Sequence, residues 1–189
     1  ETIRPYVMIF PAMLGIFVFV IYPVFYLIRL SLYKYNLLNK AKSTFVGLSN
    51  YKQIFTREDF YVALTNTVVY TVGVVVITMV LSIIIALWLN KKGFFNGLVQ
   101  AGIFTPHIIS IVSIALVWMW LMEPSYGLLN YLLKSVGLPP SQWLQSSSTA
   151  MMSVMIVSIW HNVGYYSLIV LAALQSIPPS IYEAAALDN

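Results

Sequence analysis

Four stretches of this chain, residues 7–28, 65–89, 98–122 and 151–174, contain no aspartate, glutamate, lysine or arginine. Each exceeds the roughly 20 apolar residues that a helix needs to cross the hydrocarbon of a bilayer. Backbone amides and carbonyls find no water there, so a segment of this kind spans as a helix. This constraint predicts an all-α fold, a polytopic membrane helical bundle with four spanning helices. Hydrophobic residues make up 60% of the chain and charged residues 8%, against about 25% charged in soluble domains. The first stretch is too long for a secretory signal, and no small-residue cleavage site precedes Arg29 and Lys34. Pro11, Pro23 and Pro106 sit inside or near the spans, where neighbouring helices can satisfy the carbonyls a proline frees.

The other signals exclude more than they select. A net charge of +4 without a dense basic cluster argues against nucleic acid, and the partner that composition demands is the lipid bilayer. There is no cysteine, hence no disulfide and no thiolate metal site. His107 and His161 are far apart in sequence and the acids lie outside the spans, which offers no metal site and no acid/base pair. No G-x-x-x-x-G-K-[ST] phosphate loop is present. The chain therefore does not read as an enzyme. It opens on Glu1 and ends inside a motif, and we read it as a fragment of a longer protein.

The connections differ in kind. Residues 34–64 form a long polar loop, residues 90–97 ("NKKGFFNG") a short one, and residues 123–150 another long one. Within the last, "YGLLNYLLKSVGLPP" predicts a short amphipathic helix ended by Gly137 and Pro139 in a loop that lies on the surface. Alternation of four spans puts Arg4, Lys91 and Lys92 on one side, and Lys34, Lys40, Lys42, Lys52, Arg57 and Lys134 on the other. A raw count would put the long loops inside, whereas the positive-inside rule counts best over short loops.

At 100° per residue, Thr67, Thr71, Thr78 and Ser82 share a narrow arc of the second span. Ser110 and Ser113 share a face of the third span with Pro106 and Trp120. Both arcs read as helix–helix packing surfaces, because small hydroxyl residues let backbones approach. In the fourth span Ser158, His161, Asn162 and Tyr165 fall on one arc, flanked by Trp160 and Tyr166. Polar side chains at mid-membrane need a partner or water. Two readings stand: these residues line a solute path, or His161 donates to a neighbouring helix carbonyl. Trp160, Asn162 and Tyr165 supply the aromatic platform and hydrogen-bonding groups that carbohydrate sites combine. His107 is expected to meet a loop or a headgroup.

The chain closes on "SIPPSIYEAAALDN". Pro178 and Pro179 cannot continue the fourth helix. Ser180 and Glu183 fit the S-x-x-E capping box that starts a new helix, and three alanines and Leu187 continue it. The pattern builds a short helix behind a stiff break.

"YEAAALDN" resembles the EAA loop of bacterial ABC-transporter permeases, E-A-A-x-x-D-G-A: Glu183, Ala184, Ala185 and Asp188 match, and Asn189 stands where the family has glycine. "FVGLSNY" (45–51), "ALTNTVVYT" (63–71), "FTPHIISIVSIALVWMWLM" (104–122), "YGLLNYLL" (126–133), Ile159-Trp160 and "LAALQSIPPSIYEAA" (171–185) resemble, in order, segments of the sugar-type permeases of maltose, lactose/raffinose and glycerol-phosphate uptake.

The resemblance implies the following. The fold is that of an ABC importer permease, with about six spans in the full chain. Residues 1–64 are an N-terminal spanning helix and outer loop, and residues 65–189 the first part of the permease core. The protein is a transport subunit of the bacterial plasma membrane that imports a sugar or oligosaccharide. The alternatives are a permease for a peptide, amino acid or ion, and a secondary transporter, which would need buried acids that these spans lack. Glu183, Ala184, Ala185, Leu187 and Asp188 couple the chain to an ATPase, and Ser158, Trp160, His161, Asn162 and Tyr165 are candidates for the solute path. The implied partners are a second homologous permease, two cytoplasmic ATPase subunits and an extracellular solute-binding protein. ATP and magnesium belong to the ATPases, and this chain holds no cofactor. The N-terminus and the EAA loop are cytoplasmic, and the two long loops face outward.

Overall fold

The computed structural model describes residues 4–36, 43–91, 93, 95–178, 180–181 and 187. The chain divides into two compact units, Glu1–Leu64 and Thr65–Asn189.

In the first unit, α1 (Arg4–Ile16), a π-helical turn (Phe17–Ile21) and α2 (Tyr22–Ser31) form one apolar rod long enough to cross a membrane. The π turn ends at Ile21, two residues before Pro23. A proline has no amide to give the carbonyl four residues back, and its ring crowds that carbonyl. One widened turn accommodates the defect without ending the helix. No residue of this rod is buried in the protein, so its apolar surface needs lipid.

The region predicted as a long polar loop carries structure. A two-residue ribbon pairs β1 (Tyr33–Lys34) with β2 (Thr44–Phe45), antiparallel, with Tyr33 opposite Phe45. Their rings meet edge to face at 5.2 Å. Gly47 follows with φ +54°, where a side chain would be strained, and α3 (Ser49–Phe55) begins. Asn50 Nδ2 donates to the carbonyls of Ser31 (2.7 Å) and Tyr33 (3.0 Å), and the hydroxyls of Tyr51 and Ser31 lie 2.6 Å apart. Phe45, Gly47, Asn50 and Tyr51 thus have separate jobs in one clasp on the end of α2, which accounts for their spacing.

The second unit is built on α4 (Glu58–Leu89), whose first two turns belong to the first unit, together with α5 (Asn96–Ile108), α6 (Ile111–Leu121), α7 (Leu128–Ser135) and α8 (Ser147–Gln175). At 1.5 Å per residue α4 is about 48 Å long, more than the ~30 Å of hydrocarbon. Thr78, Ser82, Ala86 and Leu89 form its buried stripe, repeating at helical spacing. Thr67 and Thr71 lie outside that stripe, on exposed parts of the helix, so only the second half of the predicted arc is packed. Ala86 and Leu89 join Leu171 of α8 in the core, with Ile85, Val99, Ile103 and Leu168 around them. Asn96 closes the 90–97 connection by donating Nδ2 to the carbonyls of Leu89 (3.0 Å) and Lys91, satisfying the end of α4.

The third span departs from expectation. It is not one rod: α5 and α6 meet at 99°. Ile109 (ψ 143°) and Ser110 (ψ 129°) are extended and end the α5 ladder. Among the described residues three helices are long and apolar enough to cross, and a fourth crossing exists if the bent pair is one span. Pro106 is buried within α5, three residues before the break. Ser110 and Ser113 are exposed and lie at or beyond the bend, so they share no helix face with Pro106.

The predicted amphipathic helix forms as α7. Gly137 (φ +78°) ends it, with Leu138 N donating to Leu133 O (2.9 Å) and Gly137 N to Lys134 O (3.1 Å), a Schellman ending. Asn130, 2% exposed, holds the loop together. Its Nδ2 donates to Pro124 O and Ser141 O, both at 2.9 Å. Its Oδ1 accepts from Ser141 N (3.0 Å) and Trp143 Nε1 (2.8 Å). These bonds hold Trp143 at φ +44°, a conformation that costs a bulky residue about 1–3 kcal/mol. Asn130→Ala strands several of these partners at once and should destabilise the protein by about 3 kcal/mol. Thermal unfolding and protease sensitivity of residues 123–150 will measure it; an unchanged unfolding temperature contradicts the role.

α8 starts at Ser146, whose hydroxyl accepts from Ser148 N, and ends at Gln175. After Pro178, Ser180 and Ile181 are helical, with Ile181 N donating to Pro178 O at 3.0 Å.

Candidate functional site

Ser158, Trp160, His161, Asn162 and Tyr165 all lie in the middle of α8, but they meet three different neighbours. Ser158 Oγ and Tyr70 Oη, from α4, are 2.7 Å apart. Asn162 Nδ2 donates to Ser158 O on its own helix at 2.8 Å. Trp160 packs edge to face on Trp118 of α6 at 5.3 Å. His161 and Tyr165 turn toward α5, where His107 stacks on Tyr165 at 4.3 Å and 12° and lies 5.4 Å from His161. The two histidines that are distant in sequence are therefore neighbours. His107 meets a helix, not the loop or headgroup expected of it, because α5 packs along α8 with its backbone in contact. Gly164 makes that contact possible: a Cβ there would fall 1.7 Å from Ile103 O.

A cavity of about 420 Å³ opens between α4 and α8. Thr78, Met79 and Ser82 line one wall, and Asn162, Tyr166 and Val170 the other. Ser82 Oγ donates to Val163 O at 3.1 Å, and Ser167 Oγ to the same carbonyl at 2.6 Å, so α4 and α8 are hydrogen-bonded beside it. Thr78 Oγ1 is buried on the cavity wall and has no hydrogen-bond partner. The space can take an apolar body that brings one acceptor or donor to Thr78. Thr78 was recognisable in the sequence only as a member of a packing surface, and Tyr70 only as part of the stretch 63–71; the pairing of α4 with α8 gives them this setting. Among the described residues no group of three histidines or acids could hold a metal ion.

Of the five residues assigned to coupling, Glu183, Ala184, Ala185 and Asp188 lie outside the described residues. Leu187 is helical and 86% exposed, an apolar side chain without cover.

Long apolar helices with little buried surface, packed through small hydroxyl residues beside a cavity, define a multi-pass helical membrane protein. The chain belongs to the family described as "Binding-protein-dependent transport system inner membrane component", which matches residues 78–189. It is 38% identical to the probable ABC transporter permease protein YurN of Bacillus subtilis, over all of this chain and 65% of that one. It is 31% identical to the trehalose/maltose transport system permease protein MalF of Thermococcus litoralis, over 97% of this chain and 62% of that one. The chain thus spans under two thirds of the length of these relatives. A bacterial alginate ABC transporter, crystallised in complex with an alginate pentasaccharide-bound periplasmic protein, has a chain that superposes with TM-score 0.83 at 26% identity. The match covers 98% of this chain and 62% of that one.

Proposed function

We propose that this chain is part of a permease subunit of an ATP-driven importer that moves a sugar or oligosaccharide across the bacterial plasma membrane. The observation that carries the reading is family membership joined to the cargo in relatives' names: trehalose/maltose, arabinooligosaccharides and sn-glycerol-3-phosphate. The crystallised alginate transporter, with its loaded periplasmic protein, supports an external solute-binding protein as partner. A second homologous permease completes the path, and two cytoplasmic ATPases carry ATP and magnesium. The chain itself moves solute and catalyses no bond change. Its N-terminus and EAA segment lie inside, and the loops at 34–64 and 123–150 outside.

In this reading Asn162 and Tyr165 exchange hydrogen bonds with sugar hydroxyls near the bilayer midplane, and Trp160, on another side of α8, offers a ring face at a separate point of the path. The test is uptake of labelled sugars by the assembled transporter, with unlabelled sugars, peptides and amino acids as competitors. Competition by a sugar supports the cargo; competition by peptides or amino acids alone overturns it. Trp160→Ala, Asn162→Ala and Tyr165→Ala should each raise the half-saturating concentration about tenfold, equivalent to ~1.4 kcal/mol. Normal uptake by all three, at equal membrane abundance, removes them from the path.

A further inference from the structure

The chemistry of α7 is not absorbed by the transport reading. Asn130 ties this helix to Pro124, just past the end of α6, and to Ser141 and Trp143, just ahead of α8. α8 is long and apolar enough to cross a membrane, and α6 is the second half of the bent pair that makes a fourth crossing when taken as one span, so α7 is tied to the depth where such a span leaves the bilayer. Its rotation is fixed as well, because the bonded Asn130 can face only inward, with Leu129 and Leu133 partly covered beside it. Leu128, Leu132 and Val136, spaced by four, then form one exposed stripe, and Leu138 extends it. Val136 is 70% exposed and Leu132 50%. Lys134 lies about 160° round the helix from Leu132, with Ser135 and Tyr131 on the same polar flank.

A helix with an apolar stripe, a cation opposite and tyrosine at the border fits a lipid–water interface. We propose that α7 lies in that interface, with Leu128, Leu132 and Val136 set among the upper acyl carbons and Lys134 among headgroups. Met119 and Trp120 of α6 and Met152 of α8, on the elements that flank α7 in the chain, are also exposed. A tilt of the α6 end or the α8 end relative to the other would then move α7 against the bilayer surface.

These 189 residues have no cysteine, so once any cysteine elsewhere in the assembly is replaced, each introduced cysteine carries a single label. Leu132→Cys, Val136→Cys and Lys134→Cys, each carrying an environment-sensitive fluorophore, are placed in the assembled transporter. The bilayers are phosphatidylcholine–phosphatidylglycerol, with and without a nitroxide near the carbonyl end of the acyl chain. Labels at 132 and 136 should emit to the blue of the label at 134 and lose intensity in nitroxide bilayers, while the label at 134 stays water-like. Three outcomes overturn the proposal: equal, water-like emission at all three positions; no nitroxide quenching at 132 and 136; or a blue shift at 132 that appears only when a solute-binding protein is added. The readout is depth in the membrane, independent of cargo, so it can fail while the import reading stands, or survive that reading's failure.

Discussion

Gly164→Ala should prise α5 off α8. The added methyl would sit 1.7 Å from the oxygen and 2.4 Å from the carbon of the Ile103 carbonyl. Neither atom can swing aside as a side chain would, so one helix has to retreat. Overpacking of this kind costs typically 1–3 kcal/mol, and a larger residue costs more. Against this stands the ~1 kcal/mol by which alanine is the better helix former. The clash wins because it separates a whole helix pair, including the stacking of His107 on Tyr165. Two other glycines calibrate the effect. At Gly73 a Cβ would meet the Cε of Met155 at 2.1 Å, the far end of a flexible chain, so Gly73→Ala should cost little. At Gly102 nothing lies within 4 Å, so Gly102→Ala should be neutral or stabilising. Thermal unfolding in lipid nanodiscs reads the order: 164 well below 73, and 73 at or below 102. Equal unfolding temperatures for 164 and 102 would show that the helices do not touch at this point.

Glu183→Lys should cut uptake by roughly 5–150-fold while leaving the chain inserted. Glu183 lies outside the described residues, and its sequence context carries the expectation. Ser180 and Ile181 are helical after Pro178, and an acid three residues after a capping serine stabilises a helix start. If the helix that follows is what the ATPase holds, reversing this charge removes both a cap and a contact. Coupling energies of 1–3 kcal/mol correspond to roughly 5–150-fold, so transport should fall by that range while ATP hydrolysis continues uncoupled. Uptake at the unaltered rate, with the variant at normal abundance, would remove the residue from the coupling path.

How much of this was legible in advance depended on what kind of signal each feature leaves. Hydropathy located the apolar helices, because lipid imposes a length and a composition on any span. Capping chemistry located the end of α7, where Gly137 is required by its positive φ. The 99° break escaped, because Pro106 drew attention to itself while the chain turns at Ile109 and Ser110, two residues with no turn signature. α5 is held to α8 as far as His107, and α6 then leaves in a direction that only tertiary packing sets. The polar arc on α8 was visible, but its division was not. An arc of ~100° on a helix inside a bundle faces more than one neighbour, so Ser158 went to α4 and His161 to α5. The pairing of His107 with Tyr165 needed the depth at which α5 crosses α8, and Gly164 sets that depth.

The bare contact at Gly164 also decides how motion passes through the bundle. Where helices meet through side chains, one can slip past the other as rotamers readjust. Main chain pressed against main chain has no such slack. Any axial push delivered to the last turn of α8 should therefore drag α5 along as cargo, and the extended pair Ile109–Ser110 becomes the joint at which that travel stops being shared.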